Sequence, residues 1–101
     1  MSDAQVYEVR LEVHPGLADA VERYMRDEHI PEIWATGCFR TIRFERAGPT
    51  TFRTCYYAAP SSDLERYLRD HAAGFRADFA SRFPTGVTVA RSVWSPVADW
   101  R

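Results

Sequence analysis

His29-Ile30-Pro31-Glu32-Ile33-Trp34-Ala35-Thr36-Gly37-Cys38-Phe39 is where the chain passes from one periodicity to another. Ahead of it, Leu17, Ala20, Val21, Tyr24 and Met25 recur at helical spacing with Arg and Glu between them, an amphipathic helix to about Glu28. Behind it, from about Cys38 to Arg46, Ile42 and Phe44 alternate with Arg43 and Glu45, the period of two of a half-buried strand. Pro31 cannot occupy a regular helix interior, because it lacks an N–H and its ring clashes with the preceding turn. The helix is therefore expected to kink or restart near His29, with Pro31 in the first turn of a short second segment. Gly37 is expected to end that segment as a left-handed cap.

Working outward, residues 6–13 set Tyr7, Val9, Leu11 and Val13 on one strand face and Glu8, Arg10 and Glu12 on the other. A turn at Ala47-Gly48-Pro49-Thr50 leads back through Phe52 to Ala59. Pro60-Ser61-Ser62-Asp63 opens a second helix, with Ser61 or Ser62 as the expected N-cap. Its apolar stripe is Leu64, Tyr67, Leu68, His71, Ala72, Phe75 and Phe79, continuing towards Phe83. Pro84-Thr85-Gly86 turns into a last strand, Val87 to Trp94, and residues 95–101 form a short tail broken by Pro96. The order βαββαβ predicts an α+β, ferredoxin-like domain, a four-stranded antiparallel sheet with both helices on one face. The other face carries Glu8, Arg10, Glu12, Arg43 and Glu45. Mixed charges of this kind suit a self-complementary two-fold interface, so a homodimer through the open sheet face is expected.

The bulk composition narrows the function classes. A chain of 101 residues with 46% apolar and 14% aromatic residues reads as one packed domain over 1–101. Thirteen basic against 14 acidic residues give no field that draws nucleic acid or anionic lipid. No apolar run approaches the roughly 20 residues that span a bilayer, and Met1-Ser2-Asp3-Ala4-Gln5 has no secretory pattern, so a cytoplasmic location is expected. All the basic residues are arginine, and there is neither lysine nor asparagine, which removes lysine-amine catalysis. If Arg46 pairs with Thr51, Cys55 lies opposite Ile42, about 10 Å from Cys38, too far for a disulfide. No phosphate loop and no Gly-x-Ser-x-Gly nucleophile motif occurs.

His29-Ile30-Pro31-Glu32, Ala35-Thr36-Gly37-x-Phe39 and Arg43, then Tyr67-x-x-x-His71-Ala72, Arg82-Phe83 and Arg91, carry a resemblance. Over about residues 6 to 95 the chain resembles the small bacterial proteins grouped as domain of unknown function family 4286, within the dimeric α+β barrel superfamily. The resemblance implies a homodimer whose two sheets close a barrel with the helices outside, and it implies no particular activity. The superfamily also holds cofactor-independent quinone-forming monooxygenases, haem-degrading enzymes, muconolactone-type isomerases and stress-response proteins. The first two types use asparagine beside tryptophan or histidine, a chemistry this chain cannot repeat residue by residue.

His29 and His71 are the candidate acid–base pair, expected to face each other across a helix–sheet cleft. His71, on the apolar stripe, is either a hydrogen-bonded core residue or a neutral general base. His29, expected to have free space around it at the helix break, either caps backbone groups orphaned by Pro31 or acts on a ligand. Glu32 is placed to orient His29 or cap the short helix. Tyr24, Trp34, Phe39, Tyr56 and Phe75 read as core aromatics that a small domain cannot wholly seal, hence as walls of a ligand pocket. Arg91 interrupts the alternation of Val87, Val89 and Val93 and calls for a carboxylate from the protein or a ligand. The expected ligand is a small aromatic or apolar molecule, with no cofactor and no metal; the competing expectation is a non-catalytic dimer whose cleft is filled by Trp34, Tyr56 and Phe75.

Overall fold

The computed structural model describes residues 3–101; Met1 and Ser2, with the part of the N-terminal reading that rests on them, lie outside it. Strands β1 (Gln5–Val13), β2 (Thr41–Ala47), β3 (Thr51–Ala58) and β4 (Val87–Trp94) form one antiparallel sheet in the order β2-β3-β1-β4. Between β1 and β2 run α1 (Ala18–Tyr24), one wide π-helical turn (Met25–His29) and α2 (Ile30–Trp34). Between β3 and β4 run α3 (Ser61–Asp70) and α4 (Ala72–Arg82). This is the ferredoxin-like arrangement that alternating periodicities of two and 3.6 dictate.

The helix–strand junction takes the form that Pro31 imposes. The Ile30 N–H donates to the Met25 carbonyl, five residues back, so the turn before Pro31 is widened. Pro31 then falls in the first turn of α2, where its missing N–H costs nothing. Gly37 has φ 72°, the left-handed conformation open to glycine, and it releases the chain towards β2. The extra residue in the wide turn also rotates the buried stripe, which runs Ala18, Val21, Met25, His29 and Ile33. His29 is thereby turned inward, only 9% exposed, against the expectation of open space around it.

Tyr7, Leu11 and Val13 from β1 and Phe52, Thr54, Tyr56 and Ala58 from β3 are buried beneath the helices. Phe52, Met25, Ile33 and Leu64 are the largest side chains fully removed from water. Each contributes about 1.5–3 kcal/mol of transfer free energy. Arg46 of β2 ties the hairpin to α1, with Nη1 3.0 Å from Glu22 Oε1 and its guanidinium 5.0 Å from the Phe52 ring centre.

Three local readings need correction. The β2–β3 loop is three residues, Gly48-Pro49-Thr50, because Gly48 adopts φ 64°, so Ala47 rather than Arg46 faces Thr51. The one-residue slip puts Cys55 opposite Arg43 on the open face rather than opposite Ile42; both thiols are free. The second helix is not continuous: at His71 (φ −125°, ψ −35°) the backbone leaves helical geometry and divides α3 from α4. Finally, α3 begins at Ser61 with no side-chain cap from Ser61 or Ser62.

Candidate functional site

Where α4 crosses the sheet, its side chains and the strand residues beneath leave a cavity of about 40 Å³ that opens to solvent. Tyr7, Val9 and Leu11 of β1, Tyr56 of β3 and Val89 and Arg91 of β4 form its floor. Met25, His29 and Ile33 close one side, Tyr67 the end, and Phe75, Arg76 and Phe79 of α4 the roof. The lining is mostly aromatic and aliphatic, with one imidazole and two guanidiniums.

His29 is the chemically distinctive member. Its ring lies 5.6 Å from Tyr24, 6.0 Å from Phe75 and 5.8 Å from Phe79, centre to centre. Nδ1 is the buried side-chain polar atom that has no hydrogen-bond partner among the described residues. Leaving such a group unpaired costs about 1–3 kcal/mol, which a purely structural histidine avoids by finding a partner. Burial holds the imidazole neutral and lowers its pKa from 6.5 to about 4, against a smaller opposing pull from Asp78. His29 makes no side-chain cap to the helix, so it does not satisfy backbone groups freed by Pro31.

Around the cavity sits a cluster of phenols. The Tyr7 ring packs 5.7 Å from Tyr56 and 6.2 Å from Tyr67, and Phe39 backs both at 5.1 and 4.9 Å. Burial raises the pKa of Tyr56 and of Tyr67 well above the ordinary phenol value, so both stay protonated. Arg76 Nη2 donates to Tyr7 Oη at 3.0 Å. Arg91 stands opposite Val9 in the sheet, on the helix-covered face and at the cavity mouth.

His29, Tyr56, Phe75 and Arg91 are thus brought to one cavity. Phe39 lies one layer behind it, in contact with Tyr56 and Tyr67. Tyr24 is buried beside His29 but faces away, towards an outer depression that it shares with Glu28, Glu32, Asp78, Ser81 and Arg82. Its phenol is raised by burial and by the nearby carboxylates of Asp78, Glu32 and Glu28. Glu32 is exposed there and makes no contact that would orient His29.

Two further expectations are not met. Trp34 is 51% exposed and lines a separate outer groove with Arg26, Ile30, Pro31 and Ile42, because the widened turn aims α2's stripe through Ile33. His71 does not face His29. The break between α3 and α4 leaves it half-buried, 6.2 Å from the Tyr67 ring and outside the cavity lining. Tyr7 and Arg76 are the site residues that sequence reasoning passed over. The available signal was Tyr7's hydroxyl on an apolar strand face, which needs a donor, and Arg76 next to Phe75 supplies it. Among the described residues no three His, Cys, Asp or Glu side chains gather as a metal-binding group.

Over residues 4–97 the sequence matches the family described as "Domain of unknown function (DUF4286)". The chain belongs to the DUF4286 family. No functionally curated protein matches it in sequence. In structure it is similar to SnoaB, a cofactor-independent oxygenase from Streptomyces nogalater, with TM-score 0.72, 15% identity and 97% of each chain covered. It is also similar to Rv0793 from Mycobacterium tuberculosis, with TM-score 0.67, 16% identity, and 95% of this chain and 97% of that one covered. NE2512 from Nitrosomonas europaea, a protein of unknown function, matches with TM-score 0.66, 19% identity, and 97% and 95% covered. At these identities the likeness establishes a shared ferredoxin-like α+β fold alone. No helix among the described residues is long and apolar enough to cross a membrane.

Proposed function

We propose that the chain binds a small, planar aromatic molecule between α4 and the sheet, with His29 as the group that takes a hydrogen bond or a proton from it. The observation that carries this reading is a buried imidazole with an unpaired Nδ1, on a residue that lines an open-mouthed cavity walled by aromatic side chains. An imidazole with a pKa of about 4 is a weak base towards water. Beside a ligand that becomes an anion as it gives up its proton, the imidazolium–anion pair is stabilised by the low dielectric of the same burial. The chemistry proposed is cofactor-independent proton abstraction from an acidic C–H or O–H of the bound molecule. The shared fold with SnoaB supports this class of enzyme only at the level of architecture.

A cavity of 40 Å³ holds one or two waters, less than an aromatic ring requires. Entry therefore needs Phe75 and Phe79 to swing aside. Both are half-buried, on a helix whose one fully buried residue is Ala72, so the roof is the loosest part of the core. The small enclosed volume favours a second reading, a non-catalytic homodimeric module. Calorimetric titration with 1-naphthol and 2-naphthoate separates the two. The enzyme-like reading expects binding by wild type, weakened about 5-fold or more in His29→Gln, and unchanged binding in His71→Ala. Failure of both probes to bind wild type would leave the non-catalytic module.

The dimer belongs to the same proposal. On the open face Glu8, Arg10 and Arg43 have no ion-pair partner among the described residues, whereas Arg53 and Glu45 pair at 2.8 Å. Val6, Tyr57 and Trp94 are aligned across that same face. A second copy related by a two-fold axis supplies the missing partners and covers the apolar rung. Sedimentation velocity at micromolar concentration is expected to give a dimer, and a monomer would contradict it.

A further inference from the structure

Resting on the reading of the cleft as a binding site, we infer that its ligand is an anion, an aromatic acid whose carboxylate is held at the mouth by Arg76 and Arg91. Both guanidiniums line the cavity that holds His29, one from α4 and one from β4. The ion pairs among the described residues engage Arg26, Arg46, Arg53, Arg66, Arg69, Arg82 and Arg101, and neither Arg76 nor Arg91. Asp and Glu side chains are as numerous as arginines in this chain, 14 against 13 basic residues, so leaving these two without one is not forced by composition.

Arg76 and Arg91 are both exposed and line the same mostly apolar cavity, so a ligand entering it meets two guanidiniums. Both reach the same phenol: Tyr67, raised by burial, is pulled back down by the positive charges of Arg76 and Arg91. Arg76 is held in place by its bond to Tyr7 Oη, so its planar fork is preorganised at the cavity edge. A carboxylate there accepts charge-assisted hydrogen bonds from the guanidiniums. The ring of the same molecule then points inward, against Tyr56, towards His29.

The test compares 2-naphthoate with its neutral isostere 2-naphthamide by calorimetry, on the full chain. In wild type the carboxylate is expected to bind at least about 10-fold tighter than the amide. R76Q and R91Q are each expected to remove roughly 10-fold of the naphthoate affinity and to leave naphthamide unaffected, with unchanged circular dichroism. Raising salt from 0.05 to 0.5 M, conditions chosen to bracket about 10 Å of screening, should weaken only the carboxylate. Equal affinity for the two probes, or naphthoate affinity indifferent to both substitutions, overturns the anion assignment and leaves the cleft reading standing. Binding of neither probe overturns both.

Discussion

The burial of His29 makes a quantitative prediction about acid stability. Folding lowers its pKa from 6.5 to about 4. Between those values the unfolded chain binds a proton that the folded chain refuses, so protonation favours unfolding. The sign follows from linkage: stability is undiminished above pH 6.5 and falls as the pH drops towards 4. At about 1.36 kcal/mol per pKa unit, the full penalty below pH 4 is about 3.4 kcal/mol. Between pH 7 and pH 5 it is about 2 kcal/mol, since most carboxylates remain ionised there. For a domain of this size that corresponds to a fall in Tm of about 8 to 16 °C. The assay is urea unfolding of wild type and His29→Gln at pH 7 and pH 5. Glutamine keeps a polar side chain but does not titrate, so its absolute stability is free to differ while its change with pH should be smaller by about 2 kcal/mol. Equal changes in the two proteins would show that His29 is hydrated or paired in solution, refuting the account of the site.

Glycine positions offer a contrasting pair. Gly86→Ala should destabilise by about 1–3 kcal/mol, because φ is +84° and the new Cβ would lie 2.7 Å from Leu17 Cδ1. Gly74→Ala, within α4 and with nothing near its Cβ, should stabilise by about 0.5–1 kcal/mol; both are read by thermal melting. Phe52→Ala, at a fully buried site, should cost about 3–5 kcal/mol in urea unfolding. Phe75→Ala, half-buried over the cavity, should cost less than Phe52→Ala and admit 2-naphthoate more readily, seen as a lower Kd. Arg10→Glu, which reverses a charge that has no ion-pair partner among the described residues, should shift sedimentation from dimer towards monomer.

The topology was legible because both periods are clean. Tyr7, Val9, Leu11 and Val13 alternate without exception, and Pro31 and Gly37 mark the helix-to-strand junction by backbone chemistry alone. The site was less legible, for reasons of rotation and register rather than of composition. Pro31 announces a disruption but not its form. A kink would have exposed His29, whereas the wide turn carries it inward and puts Trp34 outside. His71 fits the helical stripe so well that periodicity alone continues the helix through it. The break that removes it from the cavity is a single backbone excursion at that residue. The Cys55 face depended on one residue of loop length, which Gly48 decides. Arg76 was invisible to stripe reading because it lies beside the stripe, reaching the cavity through its long side chain and the Tyr7 hydroxyl.

The central claim is that His29 is a neutral, unpaired imidazole which meets the ligand directly. Nitrogen-15 NMR of the three histidine side chains at pH 7, with and without 2-naphthoate, tests it most directly. The account predicts a neutral His29 whose ring nitrogens shift on addition of the probe while those of His14 and His71 stay put. A His29 that does not respond to saturating probe, or a response at His71 in its place, would contradict it.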